Sequence, residues 1–520
     1  MPLMLPMHIL AISISLGALF VFVVVREVFA PPHLRTLFQR KQYRLPPGPA
    51  GYPIVGNLPA WRHARRSTPA LIQYLSSLST HGEMTTLHHG SRTQILLNTP
   101  RLVTEIISKR GKITHERPPM PIASDLVSRG KRVVLLPTTQ WMEGRRVMQH
   151  LAKVERIKTY TEMQELESTQ MLAAYLLRPE EWYLHHYRYS NSVMHRIVLG
   201  EGLVKRTEEL LELQRITIQF LKMIGESMVD YFPLVAKLPA CMQPWRRKMV
   251  GIGQDHWSIF ETWWRPVKGM IDAGTAPPSF VRDALLHADF KYRGSDEQAM
   301  YLALSAISAG SDNTRMILNS LVMAALCYPE AMQKARDEAD AVCGADAERL
   351  PLISDIDAMP YTCALVKEVL RWRPIVPIVP PHQLTQDMEF EGYYFPKGTE
   401  FMINTIPVCN AVEDPISFIP ERWLDGNEGS IGAGLFIFGG GRRICVGYKL
   451  AQTQLFVAFS RLAYCFDYAA TGEYDSMKLQ HHLTTEPFPI KATVRSKEHE
   501  QLIMDQATQF GVLDAARKPF

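Results

Sequence analysis

The sequence predicts a mainly α-helical protein with small β-sheets, plus one N-terminal transmembrane helix. Three observations carry that prediction. From Gln140 to roughly residue 340 the pattern is helical, with few breakers. Strand-like alternation is confined to short stretches: Glu83 to Asn98 early on, then Gln383 to Thr405 and Leu479 to Val494. Ile9 to Val25 is an uninterrupted run without charge, and a weaker apolar part reaches back to Leu3. Together they reach the roughly 20 residues that a bilayer core requires.

Each element follows in order. No Lys or Arg precedes the apolar run, whereas Arg26, Arg35, Arg40, Lys41 and Arg44 follow it. The positive-inside rule then puts the body of the protein in the cytosol. A cleaved signal peptide is the competing reading, but it normally has a basic start and small residues at its cleavage site. Residues 1–30 are thus read as a membrane anchor and 31–50 as a basic, proline-rich linker made semi-rigid by Pro46-Pro47-Gly48-Pro49. Residues 51–520 form the body. A short helix starts at Thr68, and Glu83 to Asn98 is a hairpin turning at Gly90-Ser91. Thr99 caps a helix with Pro100 in its first position. Residues 113–137 read as one long irregular loop. Asp230 to Pro244 and Ala273 to Ser279 interrupt the helices; the first is either a packed loop or an apolar surface that dips into a membrane.

Composition narrows the function. The chain has 520 residues, 46% of them hydrophobic, enough for a large core. A formal net charge of +5 is too weak and dispersed to argue for nucleic acid. Seven cysteines, widely spaced and without a C-x-x-C pair, argue against a disulfide framework and a zinc site, and fit a reducing compartment. The last residues, Arg517-Lys518-Pro519-Phe520, match no retention or lipidation signal.

Four stretches carry chemistry. Ser295 to Cys327 is long, apolar and free of proline, and Ser295 with Gln298 makes a capping box. Such a helix is about 50 Å long. Within it Gly310, Asp312, Asn313 and Thr314 are locally unfavourable, and a broken local rule points to a site. The plain alternative is a packing glycine beside a polar patch. Glu368 and Arg371 lie one turn apart on the next long helix but one, Ala358 to Arg373; alone they would be an ordinary surface pair. Pro420-Glu421-Arg422-Trp423 follows. Last comes Phe438 to Gly447, with the spacing F-x-x-G-x-R-x-C-x-G, leading directly into an amphipathic stretch from Lys449 to Tyr464. Its glycines allow close backbone approach to a planar ligand, Arg443 can meet a carboxylate, and Cys445 near a helix start is favoured as thiolate. Those features describe a haem held by an axial cysteine. A glycine-rich turn with a buried cysteine is the bland alternative.

Order and separation of the four stretches, with the anchor and the proline-rich hinge, resemble a microsomal cytochrome P-450, from Leu3 to about Arg495. The segments Pro46 to Pro49 and Gly51 to Leu58 look like the fungal enzymes of secondary metabolism. The resemblance implies the P-450 fold and haem b (iron protoporphyrin IX) with Cys445 as the iron ligand. It implies backbone N–H groups around Gly447 on the sulfur and Phe438 packed beside it. Arg443, Trp141, Arg145 and His382 would reach the haem propionates. Glu368, Arg371 and Arg422 would form a buried ion-pair triad that serves structure. Gly310 would open the groove for oxygen, and Asp312, Asn313 and Thr314 would serve proton delivery. Relatives mostly have Thr or Ser where this chain has Asn313; either its amide and a water serve the relay with Asp312, or oxygen is activated by another route.

The resemblance further implies a monooxygenase fed by NADPH through NADPH–cytochrome P-450 reductase, with cytochrome b5 as a second partner. It implies a single-pass location in the endoplasmic reticulum membrane facing the cytosol. Basic residues such as Arg442 and Lys449 would meet the reductase. The pocket is expected from 113–137, Tyr301 to Ala309, Ile375 to Val379 and Thr484 to Phe488, mostly aliphatic and suited to a small apolar or aromatic molecule. A haem-thiolate isomerase or dehydratase without a reductase, or a non-catalytic haem protein, stays open as an alternative.

Overall fold

The computed structural model describes residues 44–203, 207–286, 292–426, 431, 433–476 and 488–518, with four isolated positions before residue 44. Apart from those four, the predicted anchor run lies outside the described residues, as does most of the linker. Among the described residues no helix is long and apolar enough to cross a membrane.

The longer helices and the strands, in chain order, are α1 (Thr68–Leu78), β1 (Met84–His89), β2 (Arg92–Leu97), α2 (Thr138–Leu151), α3 (Thr161–Leu177), α4 (Trp182–Leu199), α5 (Thr207–Met223), α6 (Arg246–Asp272), α7 (Asp296–Cys327), α8 (Pro329–Cys343), α9 (Pro360–Trp372), β3 (His382–Gln383), β4 (Met388–Phe390), β5 (Tyr393–Phe395), β6 (Glu400–Ile403), α10 (Tyr448–Cys465), β7 (Phe466–Ala470), β8 (Ile490–Val494) and α11 (Lys497–Gln509). They build two compact units. The first takes residues 1–140, 215–258 and 378–404, the second 141–214, 259–377 and 405–520.

The first unit holds a four-stranded sheet in the order β1-β2-β6-β3. β1 and β2 are the predicted hairpin, with Met84 opposite Leu97, and β6 joins β2 in parallel, Gln94 opposite Glu400. β2 is buried along its whole length, so its polar residues must find partners. Gln94 accepts through Oε1 from His89 Nδ1–H at 2.6 Å and donates from Nε2 to Glu400 at 2.6 Å, and Arg92 lies 3.5 Å from Glu400. The hairpin turns at Gly90, whose φ of +61° suits glycine. A Cβ there would come within 2.8 Å of the Phe232 ring. Ser91 donates from its N–H and its hydroxyl to the Tyr231 carbonyl, at 3.1 and 2.9 Å. The 230–244 interruption is therefore tied to the hairpin at Tyr231 and Phe232, while Lys237, Ala240 and Cys241 face outward.

The 113–137 loop differs from its prediction: it contains a wide helical turn, Pro121–Val127. Its first amides are satisfied from far along the chain, because Asp230 accepts from the N–H groups of Ile122 at 2.7 Å and Ala123 at 3.3 Å. Local sequence shows no cap, and none exists locally.

The second unit is the helical body. α7 carries the predicted capping box, Ser295 and Gln298 bonding reciprocally at 3.2 and 2.8 Å. It packs most extensively on α4. Its small polar residues are accommodated because their side chains bond to the carbonyl one turn back: Ser308 to Leu304 at 2.9 Å, Ser311 to Ile307 at 2.7 Å and Thr314 to Gly310 at 2.8 Å. Of the expected hairpin from Leu479 to Val494, the part before Phe488 lies outside the described residues; β8 pairs antiparallel with β7, Phe466 opposite Val494. The chain then continues into α11, which lies on α3 with Ile503 and Ala507 fully buried.

Candidate cofactor-binding and catalytic site

The cysteine loop is built by backbone geometry. Gly439 and Gly441 have φ of +75° and +59°, and the Cys445 N–H donates to the Phe438 carbonyl at 2.8 Å. That bond closes the loop and holds Cys445 ahead of α10, whose first residue is Tyr448. The Gly447 N–H donates to the Cys445 sulfur and favours its charged form. The net effect on the thiol runs against the sequence expectation: burial pushes it up, outweighing Gly447 and the nearby Arg145 guanidinium. The start of α10 does not by itself make a thiolate. The thiol is heavily surrounded by protein, while Cys445 as a whole residue keeps accessible surface.

Beside this loop stand three of the predicted residues. Arg443 stacks over the Trp141 ring at 4.1 Å, and Arg145 lies 5.9 Å from the same ring. Arg145 also donates to the Ile444 carbonyl at 2.7 Å, which ties α2 to the cysteine loop. Trp141 and Arg145 lie one turn apart on α2, so a single helix presents both. The Arg145 Nε is buried without a hydrogen-bond partner. A buried guanidinium donor left open costs free energy unless an acceptor completes it.

α7 supplies the third wall feature. From Ala299 to Ala325 every residue is buried except Ser305, Ala309, Gly310 and Asn313. Ser305, Ala309 and Asn313 share one helix face at four-residue spacing, with Gly310 beside it, and Ala309 is the most open of them. The broken-rule stretch is thus divided by direction. Asn313 lies on the open face, its Nδ2 donating to the Ala309 carbonyl at 3.0 Å. Asp312 points away from it: it is buried, bonds Arg315 at 2.6 and 3.2 Å, and accepts from Gln214 of α5 at 3.0 Å. The expected partnership of Asp312 with Asn313 is not the one that the structure brings together. Thr314 is buried and committed to Gly310. The side of Gly310 that a Cβ would occupy is filled by Met194 of α4, whose sulfur would be 2.7 Å away. On that side Gly310 serves helix packing rather than an open groove. Arg315 and Gln214 are the residues that the sequence reading missed; an arginine one turn after an aspartate in an apolar helix was the available signal.

Behind α9 the structure assembles the triad. Glu368 binds Arg371 at 2.8 and 2.9 Å and Arg422 at 3.3 Å. Trp423 Nε1 and the Ile419 N–H donate to the same carboxylate, at 2.8 and 2.9 Å. Four hydrogen-bond donors and the Arg422 charge around one fully buried carboxylate make a structural node. Phe438 lies beside Tyr448, ring centroids 6.5 Å apart. Of the expected pocket segments, Thr484 to Glu486 and Pro487 lie outside the described residues, and Phe488 is buried against Trp182 at 5.1 Å.

His382 belongs to the first unit. It is buried on β3, and its Nδ1 donates to the Thr114 carbonyl at 2.9 Å. Arg117 holds the carbonyls of Pro380 and Pro381 at 2.6 and 2.5 Å, which fixes the approach to that strand. With Nδ1 donating to a carbonyl, donation by Nε2 to a carboxylate requires the imidazolium.

These residues fit a haem. An open Arg145 donor suits a propionate, a cysteine held in the loop by the Phe438 carbonyl with a Gly447 N–H on its sulfur suits an iron ligand, and the open stripe of α7 leaves room beside a planar group. Comparison with known proteins agrees. The family model described as Cytochrome P-450 matches residues 46–494. The chain is 30% identical to cytochrome P-450 monooxygenase virE of Hypocrea virens, over 82% of this chain and 79% of that protein. It is 29% identical to cytochrome P-450 monooxygenase fogE of Aspergillus ruber, over 89% of each. A solved zebra fish cytochrome P-450 with abiraterone superposes with a TM-score of 0.65 at 21% identity, covering 82% of this chain and 100% of that one. That last likeness is one of fold.

Proposed function

The chain belongs to the cytochrome P-450 family, and from that premise we propose that this monooxygenase inserts one atom of dioxygen into a small apolar or aromatic metabolite of a fungal secondary pathway. The observation that supports it most is the pairing, within one unit, of Cys445, held in its loop, with a helix whose interior opens only at Ser305, Ala309, Gly310 and Asn313. Haem, when bound, supplies the dioxygen chemistry.

The side chains have separable tasks. Cys445 would give its sulfur to the iron, and the Gly447 N–H would steady the charge on it. Arg145 and Arg443, braced on Trp141, would hold the carboxylates of the group. His382 stays a proposal from the family resemblance alone. Asn313 is the polar side chain on the open face of α7 next to Ala309, its Nδ2 on the Ala309 carbonyl; its amide would hold a water, and that water would carry the proton. Asp312 anchors α7 to α5 through Arg315 and Gln214.

Electrons are proposed to come from NADPH through NADPH–cytochrome P-450 reductase, with cytochrome b5 as an auxiliary donor. Arg442 and Lys449, both exposed beside the cysteine loop, are candidate contacts. The apolar run before Arg26 supports a single-pass place in the endoplasmic reticulum membrane, body to the cytosol. Expression with a reductase in microsomes, fed with candidate metabolites, tests the proposal by mass spectrometry. The expected product gains one oxygen and needs both NADPH and dioxygen. A product formed equally without them would overturn the reading in favour of an isomerase or dehydratase.

A further inference from the structure

Buried tyrosines of the second unit differ in what accepts their hydroxyl. Tyr187, Tyr189 and Tyr464 donate to the carbonyls of Leu210, Gln454 and Gly344. A carbonyl holds a hydrogen bond but does not take the proton. Tyr175 of α3 is different: its hydroxyl lies 2.6 Å from Nε2 of His186 on α4. On the other side of that ring, Nδ1 lies 2.7 Å from Oδ1 of Asn319 on α7. The Asn319 oxygen can only accept, so Nδ1 carries the hydrogen and Nε2 the lone pair. The phenol is therefore the donor, and it is aimed at a base. Both side chains are buried, with the Phe466 ring 5.1 Å from Tyr175 and the Trp182 ring 5.5 Å from His186. Burial pushes His186 down to about 4, which keeps Nε2 a free acceptor at neutral pH. Asn319 stands six residues along α7 from Asn313, about 9 Å at the helical rise. Tyr468 of β7 is the next phenol beside Tyr175, and its chain neighbours Asp467 and Ala469 are exposed.

We propose that Tyr175 and His186 form a one-electron donor site, at which the phenol is oxidised to a neutral phenoxyl while its proton moves to the imidazole. The proposal rests on the haem-thiolate reading above and adds a second redox site to it. The oxidant is the haem after it has met a peroxide with no substrate in place. One electron leaves Tyr175 and is gained by the oxidised haem. The phenol O–H bond breaks, and an N–H bond forms at His186 Nε2, already within hydrogen-bond reach. Without that base the oxidised phenol would stay a cation in apolar surroundings, which is costly. The nearby Arg315 charge disfavours the imidazolium, so the proton goes back when Tyr175 is reduced again. The returning electron comes from a one-electron reductant in solution, by way of Tyr468. An oxidising equivalent without a substrate is thus discharged at a side chain that recovers.

The test uses the purified haem-loaded protein, mixed with a peracid, frozen within milliseconds and read by electron paramagnetic resonance. The expected signal is a tyrosyl radical, which narrows when the protein is grown on ring-deuterated tyrosine. Tyr175→Phe, which keeps the ring, removes the signal. Tyr187→Phe, whose hydroxyl is committed to the Leu210 carbonyl, keeps it. His186→Gln offers a hydrogen-bond acceptor that cannot take the proton, and it too removes the signal. A merely structural hydrogen bond would leave the radical in place in that variant. A radical that survives Tyr175→Phe or His186→Gln in folded protein overturns the proposal. So does a wild type whose Soret band responds to the peracid without any tyrosyl signal. Should Tyr175→Phe fail to fold, His186→Gln decides alone. A wild type with no Soret band refutes the haem reading and this proposal together, a failure told apart by the missing band.

Discussion

Asp312 and Asn313 are neighbours in sequence and about 100° apart around α7, and that rotation separates their tasks. Asp312 sits in a buried cluster with Arg315 and Gln214, whereas Asn313 looks onto the open face. Two substitutions should therefore fail in different ways. Asn313→Ala is expected to leave the melting temperature within a degree or two while uncoupling NADPH use from product. Asp312→Asn is expected to cost about 3 kcal/mol, since it leaves the Arg315 charge buried with less compensation, and to leave coupling nearly intact in the protein that folds. Coupling ratios and thermal unfolding measured side by side check the pair; a coupling loss confined to Asp312→Asn would return the acid to the relay.

Sequence made the residue types of this site legible but not their directions. F-x-x-G-x-R-x-C-x-G and W-x-x-x-R could be read because each spans a few residues and its parts come together through local geometry. What α7 does with Gly310 could not, because the space beside it is filled by Met194, a residue more than a hundred positions earlier. The same limit applies to the thiol. A position before a helix start suggested a low value for Cys445, but burial, which depends on the whole unit, pushes it up.

At the level of elements, long-range caps decide how loops are held. Asp230 caps the Pro121–Val127 turn from the far side of α5 in sequence, and burial raises its carboxyl to about 6 despite two amide donors and the Arg92 charge. An unfolded chain holds the same group near about 4. Stability from this group is thus fully present below about pH 4 and is lost as pH rises through about 6, by roughly 2 to 3 kcal/mol for a shift of about two units. Asp125, Arg92 and Tyr231 are the charged or titratable groups around it, and Glu400 lies on the neighbouring strand. Relative to Asp230→Asn, the wild-type unfolding midpoint is expected to fall between about pH 4 and 6 and to run parallel above. A constant difference across that range would contradict the assignment.

The triad on α9 is the opposite case: spacing alone made Glu368 and Arg371 an ordinary surface pair, the family resemblance implied a buried triad with Arg422, and the structure brings the three together. What the spacing did not show was the contribution of Trp423 and the Ile419 amide. Glu368→Ala strips four donors of their acceptor and leaves two arginine charges near each other. It is expected to cost about 3 to 5 kcal/mol and to abolish accumulation of folded protein, whereas Cys445→Ala should fold. Soluble yield and circular dichroism of the two variants distinguish these outcomes.

For the whole molecule, the mainly helical class and the late β elements were visible in periodicity, and the family follows from a match across residues 46–494. Two features of the architecture were not visible. The chain divides into two interleaved units whose boundaries fall within α2, α5 and α6, where helical periodicity runs on without a break. β8 pairs with β7, a partner that local alternation did not name. Both depend on which distant segments meet. The α11 helix, beyond the last residue of the family match, is docked on α3 through an apolar face and belongs to the second unit.

The proposed function rests on one bond, the one that Cys445 would make from its sulfur to a haem iron. The most direct measurement is the absorption spectrum of the reduced protein under carbon monoxide. The account predicts the strongly red-shifted Soret band of thiolate ligation in the wild type and its loss in a folded Cys445→Ala variant. A red-shifted band that persists in Cys445→Ala, or a wild type that binds haem without showing it, would contradict the account.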